Sequence, residues 1–266
     1  MIQQNVEEYL NKGRTYIGYE DSDLERLAIG RYRFSLNFVK DGDICLDAAS
    51  GSGYGSELIS QKAKEVIGLE IDEHALKFAR DHYQNDRIEF RRADLTQPLD
   101  LPDDYFDIIV SIETLEHISN HDAVLSEFRR VLKSGGWLIA STVEHQVYTE
   151  KGGIRNIHHI GELTKKQLMT LISRYFKLEE LYGQIKYVPL SWRKRLIQKL
   201  WLSFLRVLNK IDILKIRYWV VNSFRLNGAV NAVNKSLSTM VETDMEKTAF
   251  EDENEYYQLI VVARKL

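Results

Sequence analysis

One cysteine, Cys45, in 266 residues excludes an internal disulfide framework and a Cys-rich zinc site. Its apolar neighbours predict a buried thiol. Excess charge is also lacking. Lys+Arg 36 against Asp+Glu 39 leaves a formal charge of −3, so contact with nucleic acid or membrane must come from local asymmetry. No uninterrupted apolar run is long enough to cross a bilayer, and the N-terminal MIQQNVEEYLNKGR lacks the apolar core of a signal peptide. A cytoplasmic location is therefore expected. What the chain does have is a 44% hydrophobic content, enough to fill one large domain or two small ones and to exclude intrinsic disorder.

The periodicity predicts a helix from about residue 22 to 39, opened by the cap Ser22 and ended by Asp41-Gly42-Asp43. ICLDAAS then leads through a Gly-rich turn into a helix from Tyr54 to about Lys62, followed by the strand EVIGLE. The alternation continues through helix EHALKFARDHY, strands RIEFRRA and YFDIIVSI, helix HDAVLSEFRRVL and strand GWLIAST. After Thr142 come a polar stretch rich in Gly and His, helix TKKQLMTLISRY, strand FKLEELYG and a terminal strand EYYQLIVVARKL. Strands alternating with helices predict an α/β fold, a doubly wound and mainly parallel sheet. Three regions follow: an N-terminal helical cap over 1–40, a core over 41–184 with 255–266, and an insertion over 185–254. Within that insertion, from Lys186 to Lys235, basic residues face the single acid Asp212 and interleave with Trp192, Trp201, Phe204, Trp219 and Phe224. Such a segment serves either as a helical cover for the core or as a peripheral contact with an anionic membrane.

Asp47-Ala-Ala-Ser-Gly51-Ser-Gly53-Tyr-Gly55 follows the first strand of the alternation. Glycines let the chain turn tightly and let a ligand approach the backbone, and this turn sits where doubly wound sheets bind cofactors. The spacing G-x-G-x-G differs from the dinucleotide G-x-G-x-x-G, because position 56 is Ser. Glu70 ends the next strand, where a carboxylate can accept hydrogen bonds from both ribose hydroxyls.

On these residues the sequence resembles class I S-adenosylmethionine-dependent methyltransferases. LDAASGSGYG is similar to their first motif, with Asp47, Gly51 and Gly53 matching and Ala49 standing for the usual first glycine. The resemblance implies a Rossmann-like sheet with an antiparallel terminal strand. It also implies a cofactor held by Asp47, Ala49, Gly51, Gly53, Glu70, Ile71, Asp94, Leu95 and Ile112, with Glu70 on the ribose and Asp94 on the adenine amino group. YFDIIVSIETLEHI and LKSGGWLIAS resemble the later motifs. ERLAIGRYRF and GSGYGSELIS are similar to methyltransferases associated with sugar and polysaccharide biosynthesis. Arg31 and Tyr32 either touch the methionine end of the cofactor or belong to a packed helix face.

Strand YFDIIVSI runs into Glu113-Thr-Leu-Glu116-His117. Two carboxylates and an imidazole, joined by one from the His158-His159 pair, would make a mixed oxygen and nitrogen site suited to Mg²⁺ or Mn²⁺. The stretch resembles the metal sites of methyltransferases acting on the terminal ribose of small RNAs and of ubiquinone-pathway O-methyltransferases. In the RNA group a distant His precedes a Glu and a Thr, as in His159-Ile-Gly-Glu162-Leu-Thr164. The resemblance implies Glu113, Glu116, His117 and His159 as ligands. Glu-His at this place is also widespread in metal-free class I methyltransferases, where the His lines the substrate pocket. Both readings stay open, as does a purely structural role. His74, His82 and His121 are expected at the surface or in caps, and His145 and His158 are unassigned.

A sulfonium methyl group is already electrophilic, so the enzyme must chiefly align the acceptor and exclude water. A hydroxyl acceptor needs activation, by a metal or by His117 or His159 as base with Glu116 beside them. The leading expectation is O-methylation of a hydroxyl on a sugar or glycan precursor, with the segment 186–235 over a phosphate-bearing or lipid-linked acceptor at the inner membrane face. The alternatives are an RNA ribose 2′-O-methyltransferase, a quinone or other small-molecule O-methyltransferase, and a cofactor-binding regulatory or scaffold protein. No RNA-binding module is evident, which argues against a nucleic-acid partner.

Overall fold

The computed structural model describes residues 23–154, 156–186, 245–247 and 255–266. The cap Ser22 and nearly all of the basic insertion lie outside the described residues. Helix α1 spans Asp23–Ser35. It is followed in chain order by β1 (Ile44–Ala48), α2 (Tyr54–Ser60), β2 (Glu65–Glu70), α3 (Glu73–Tyr83), β3 (Ile88–Arg92), β4 (Phe106–Ser111), α4 (His121–Val131) and β5 (Leu132–Val143). Then come a π-helical turn, Gln146–Lys151, α5 (Lys165–Ser173), β6 (Lys177–Lys186), β7 (Met245–Lys247) and β8 (Tyr256–Arg264).

The strands form an eight-stranded sheet in the order β3-β2-β1-β4-β5-β8-β6-β7. β3 to β5 are parallel, and β8 inserts antiparallel between β5 and β6. Both faces of the parallel part are covered, which is why its strands read as apolar runs without polar alternation. On one face Leu46, Ile67, Ile109 and Leu138 meet Val124 and Phe128 of α4 and Leu168 and Ile172 of α5. On the other, Cys45, Val66, Ile108 and Ile139 meet Tyr32, Ile59, Leu76 and Ala79. Each of these large side chains contributes about 1.5–3 kcal/mol by leaving water. Cys45 is fully buried, and burial pushes its thiol well above the ordinary range.

The helix ends are set locally. Asp72 accepts from the N–H groups of His74 and Ala75 at the start of α3, and Asn120 accepts from Ala123 N at the start of α4. Thr164 and Gln167 form a reciprocal capping box on α5. Helix α1 stops at Ser35 rather than near residue 39, because Ser35 Oγ donates to the Tyr32 carbonyl and the chain tightens into turns through Leu36, Asn37 and Phe38. β5 begins earlier than expected, at Leu132, with a register shift opposite Phe106–Ile108 that accommodates Gly135 at positive φ. No described helix is long and apolar enough to cross a membrane.

Candidate active site

β1 is flanked by β2 on one side and β4 on the other, and the connections leave in opposite directions there. At their carboxyl ends opens a cavity of about 570 Å³, a size that suits a nucleoside-bearing cofactor. Its wall includes Ala49, Gly51, Glu70, Ile71, Asp94, Leu95, Ile112, Glu113 and His117 of the expected residues. Tyr32, Tyr54, Thr114, Asn156 and His158 complete much of the remainder. Asp47, Gly53, Glu116 and His159 do not line it.

The loop after β1 turns by left-handed backbone at Ala49 (φ 65), Gly51 (φ 55) and Gly53 (φ 91). A Cβ on Gly51 would meet nothing within 4 Å, so that glycine serves the turn and keeps the cavity wall open. Gly53 is different. Its Cβ would lie 2.8 Å from Ala79 Cβ and from Phe90 Cζ, which makes it a packing glycine against α3 and β3 rather than part of the cavity wall. Ala49 carries a Cβ through a conformation that costs an L-residue about 1–2 kcal/mol. Ala49→Gly is therefore expected to raise stability, by about 0.5–1 kcal/mol once the greater freedom of the unfolded glycine is offset; chemical denaturation measures it.

Glu70 is buried and held at the cavity wall by three backbone donors. Its Oε2 accepts from Gly51 N at 2.9 Å, and its Oε1 from Ile71 N at 3.0 Å and Asp72 N at 2.9 Å. Asp94 Oδ1 accepts from Thr96 N and Thr96 Oγ1, and these bonds hold its carboxyl below the usual range. Asp47, expected at the cofactor, does not line the cavity. The two-residue period of β1 puts Asp47 on the same face as Cys45, under α1 and α2. There Oδ1 accepts from the Tyr32 hydroxyl at 3.0 Å and Oδ2 from Ser56 Oγ at 2.6 Å. Burial raises the Asp47 carboxyl to about 6, and burial together with the Asp47 charge raises the Tyr32 hydroxyl well above its ordinary value. Asp47 thus pins the two helices that frame the loop, while Tyr32 reaches the cavity wall.

The acid and histidine groups lie at the end of β4, and three of the four expected ligands converge. Glu116, His117 and His159 each offer a ligand atom, and these atoms lie within 4.8 Å of one another. Glu113 lies outside that group. It sits at φ 53 with its N–H donating to Ser141 Oγ, and its Oε1 pairs with Arg31 Nη2 at 2.7 Å and accepts from Gln258 Nε2 at 3.2 Å. Arg31 itself is buried and also donates to Gln184 Oε1, so it belongs to this network rather than to the cavity wall.

Glu116 is 1% exposed, and its Oε2 accepts from Thr142 Oγ1 at 3.0 Å. Burial, reinforced by the Glu113 charge, raises its carboxyl to about 8. His117 Nδ1 lies 3.0 Å from the His158 carbonyl oxygen, an acceptor, so Nδ1 carries the proton and Nε2 the lone pair. Desolvation of the ring is the chief cause of a pKa below the ordinary histidine value. The His117 and His159 rings meet edge to face, centroids 4.9 Å apart. His121 Nε2 is spent on the Leu115 carbonyl and His82 Nδ1 on that of Phe78, both outside the cluster.

Between its unfolded value near 4.5 and its folded value of about 8, Glu116 binds more protons folded than unfolded, so stability falls as pH rises through that window. Asp47 acts in the same direction between 3.8 and about 6. The metal-free protein is expected to melt at a lower temperature at pH 8 than at pH 6. Glu116→Gln should flatten that slope, and calorimetric melts across the range measure both.

Sequence reasoning missed Glu162 and the wall residues Thr114 and Asn156, and left the wall residue His158 unassigned. The signal was present for one of them: Glu162 follows His159 by three positions in the quoted run, and it is the partner of that histidine's Nδ1 at 2.8 Å.

Residues 46–140 match the family model described as a methyltransferase domain. A probable S-adenosylmethionine-dependent methyltransferase of Mycolicibacterium smegmatis is 33% identical over 140 residues, covering 52% of this chain and 53% of the relative. A ubiquinone biosynthesis O-methyltransferase of Nitrosomonas europaea is 28% identical over 100 residues, 37% of this chain and 43% of that one. The chain spans about half the length of the curated relatives it matches. Among solved structures, an S-adenosylmethionine-dependent methyltransferase of Mesorhizobium loti superposes with a TM-score of 0.55 at 18% identity, over 88% of this chain and 95% of that chain. The [4+2]-cyclase SpnF superposes with a TM-score of 0.54 at 21% identity, over 88% and 80%. These two likenesses concern the fold, which the cyclase shows to be compatible with more than one chemistry. Over residues 46–140, then, this chain is similar to a methyltransferase domain, and the relatives it matches include ones of the S-adenosylmethionine-dependent kind.

Proposed function

We propose that this protein is an O-methyltransferase whose acceptor is a sugar or glycan precursor with vicinal hydroxyls, and that a divalent ion assists it. The observation that carries the reading is the convergence of Glu116, His117 and His159 within 4.8 Å beside the cofactor cavity. The residues fit S-adenosylmethionine: an open glycine turn at Gly51, a carboxylate at Glu70 and a second at Asp94 line one cavity. When bound, the cofactor supplies an electrophilic methyl group. The chain's own task is then to place an oxygen acceptor and manage its proton.

Glu116, His117 and His159 fit a divalent ion as one oxygen and two nitrogen donors, which with Glu113 withdrawn favours Mn²⁺ over Mg²⁺. Held there, such an ion would supply Lewis acidity toward an acceptor hydroxyl. Two vicinal hydroxyls suit a site with open positions, and the basic composition of 186–235 supports an acceptor carrying phosphate or a lipid anchor. Without an ion His117 or His159 acts as the base. His117 is neutral at physiological pH and accepts a proton at Nε2. Glu113, paired with Arg31, lies on the cavity wall together with that imidazole.

A second acceptor class, a quinone or other small molecule, is favoured by the ubiquinone biosynthesis O-methyltransferase relatives. The test is transfer of labelled methyl from S-adenosylmethionine to glycans, phosphorylated sugars and dihydroxy-aromatics, before and after chelation and with Mn²⁺ restored. Labelling of the sugars that falls on chelation and returns with Mn²⁺ supports the reading. Full activity in chelator removes the ion, and labelling confined to the aromatics replaces the acceptor.

A further inference from the structure

Glu162 does not line the cavity, and its two carboxylate oxygens meet three side chains of the loop that follows β5. Its side chain is 9% exposed. Oε1 lies 2.8 Å from His159 Nδ1. Oε2 accepts from Thr149 Oγ1 at 2.6 Å and lies 2.8 Å from His145 Nδ1. Three side chains of the loop thus converge on its two oxygens.

The segment around it is closed at its neck. Glu144 Oε2 accepts from Val147 N at 2.8 Å and its Oε1 from Lys165 N at 3.0 Å, while His145 N donates to the Leu163 carbonyl. Gly161 N donates 2.9 Å to the Glu116 carbonyl, and a Cβ at Gly161 would collide with the Ile118 carbonyl oxygen. The loop therefore lies directly on the Glu116–His117 turn. Glu162 joins the loop's first turn, through His145 and Thr149, to its last, through His159.

A carboxylate only accepts, so an imidazole facing it through Nδ1 must place a proton there and leave the lone pair on Nε2. We propose that Glu162 is the positioning residue of this site, fixing His159 in the Nδ1–H tautomer and orienting its ring against Glu116 and His117. The inference rests on the reading of that cluster as the acceptor-activating centre, but its structural content stands apart from any turnover. Partners of this kind, placed behind a ligating histidine, are worth about 10–100-fold in metal affinity.

Nitrogen NMR of the wild-type protein, at a pH where the imidazole is neutral, reads the tautomer directly, with His159 assigned from its loss in His159→Gln. The Nδ1–H form is expected, and the Nε2–H form overturns the proposal without recourse to any further variant. In Glu162→Ala the His159 tautomer should redistribute, and affinity for Mn²⁺ alone should fall about 10–100-fold. Glu162→Gln, which keeps one acceptor oxygen, should restore part of that affinity. S-adenosylhomocysteine binding should persist in both variants, confirming that they fold. An unchanged tautomer and Mn²⁺ affinity in Glu162→Ala that still binds S-adenosylhomocysteine also overturns the proposal. Wild-type protein that shows the Nδ1–H form but no Mn²⁺ binding removes the ion from the proposed function and leaves the positioning role standing.

Discussion

Glu116→Ala and His159→Ala are each expected to lower turnover about 10²–10⁴-fold while leaving affinity for S-adenosylhomocysteine close to wild type. The magnitude is that of losing a positioned acid–base or metal-assisted activation of the acceptor. The split between turnover and cofactor affinity follows from placement, since neither side chain lines the cavity with Gly51, Glu70 and Asp94. On the proposed function the two residues act on the same acceptor oxygen, so the double variant should lose little more than either single one. Steady-state rates with labelled cofactor measure this. Turnover unchanged in both variants would remove them from the chemistry and leave a buried carboxyl with no function to justify its raised pKa.

Loss of Glu70 should act on the other half of the site. Glu70→Ala is expected to weaken S-adenosylmethionine binding about 10²-fold or more. A hydrogen bond to a charged group contributes about 1.5–3 kcal/mol, and each 1.4 kcal/mol is about tenfold in affinity. The same substitution releases the N–H groups of Gly51, Ile71 and Asp72, so the turn that forms the cavity floor loses its anchor as well. Glu70→Gln should fall between alanine and wild type, because one carbonyl oxygen can replace only part of the carboxylate. Titration calorimetry of all three proteins gives the comparison. Equal affinity in the three would place the ribose elsewhere.

The fold was legible because its strands are short apolar runs and its helices carry one buried stripe. The alternation of the two periods leads to a doubly wound sheet with few competitors. What escaped were features set by local hydrogen bonding or by distant partners. Ser35 ends α1 through a single back-bond to Tyr32. The π-helical turn at Gln146–Lys151 is held by Glu144 and Glu162 rather than by any apolar stripe.

The candidate site divides along the same line. Glu70 and the glycine turn belong to consecutive elements at the ends of neighbouring strands, so their meeting follows from topology. Asp47 also lies on β1, but which face it takes depends on strand parity and on the helices above it, and that sends it to Tyr32 and Ser56. Glu113 and Glu116 look equivalent in sequence. A left-handed backbone at Glu113 turns it to Arg31, a residue 82 positions earlier in the chain, and leaves Glu116 to the histidines. No spacing rule anticipates that choice, because the deciding partner is a buried cation on another element.

Titration of the folded protein with S-adenosylmethionine and with S-adenosylhomocysteine bears most directly on the whole account. Saturable one-to-one binding of both, lost in Glu70→Ala, is the expected result. No heat with either molecule, on protein that melts cooperatively, would contradict the assignment of the cavity and the functional reading built on it.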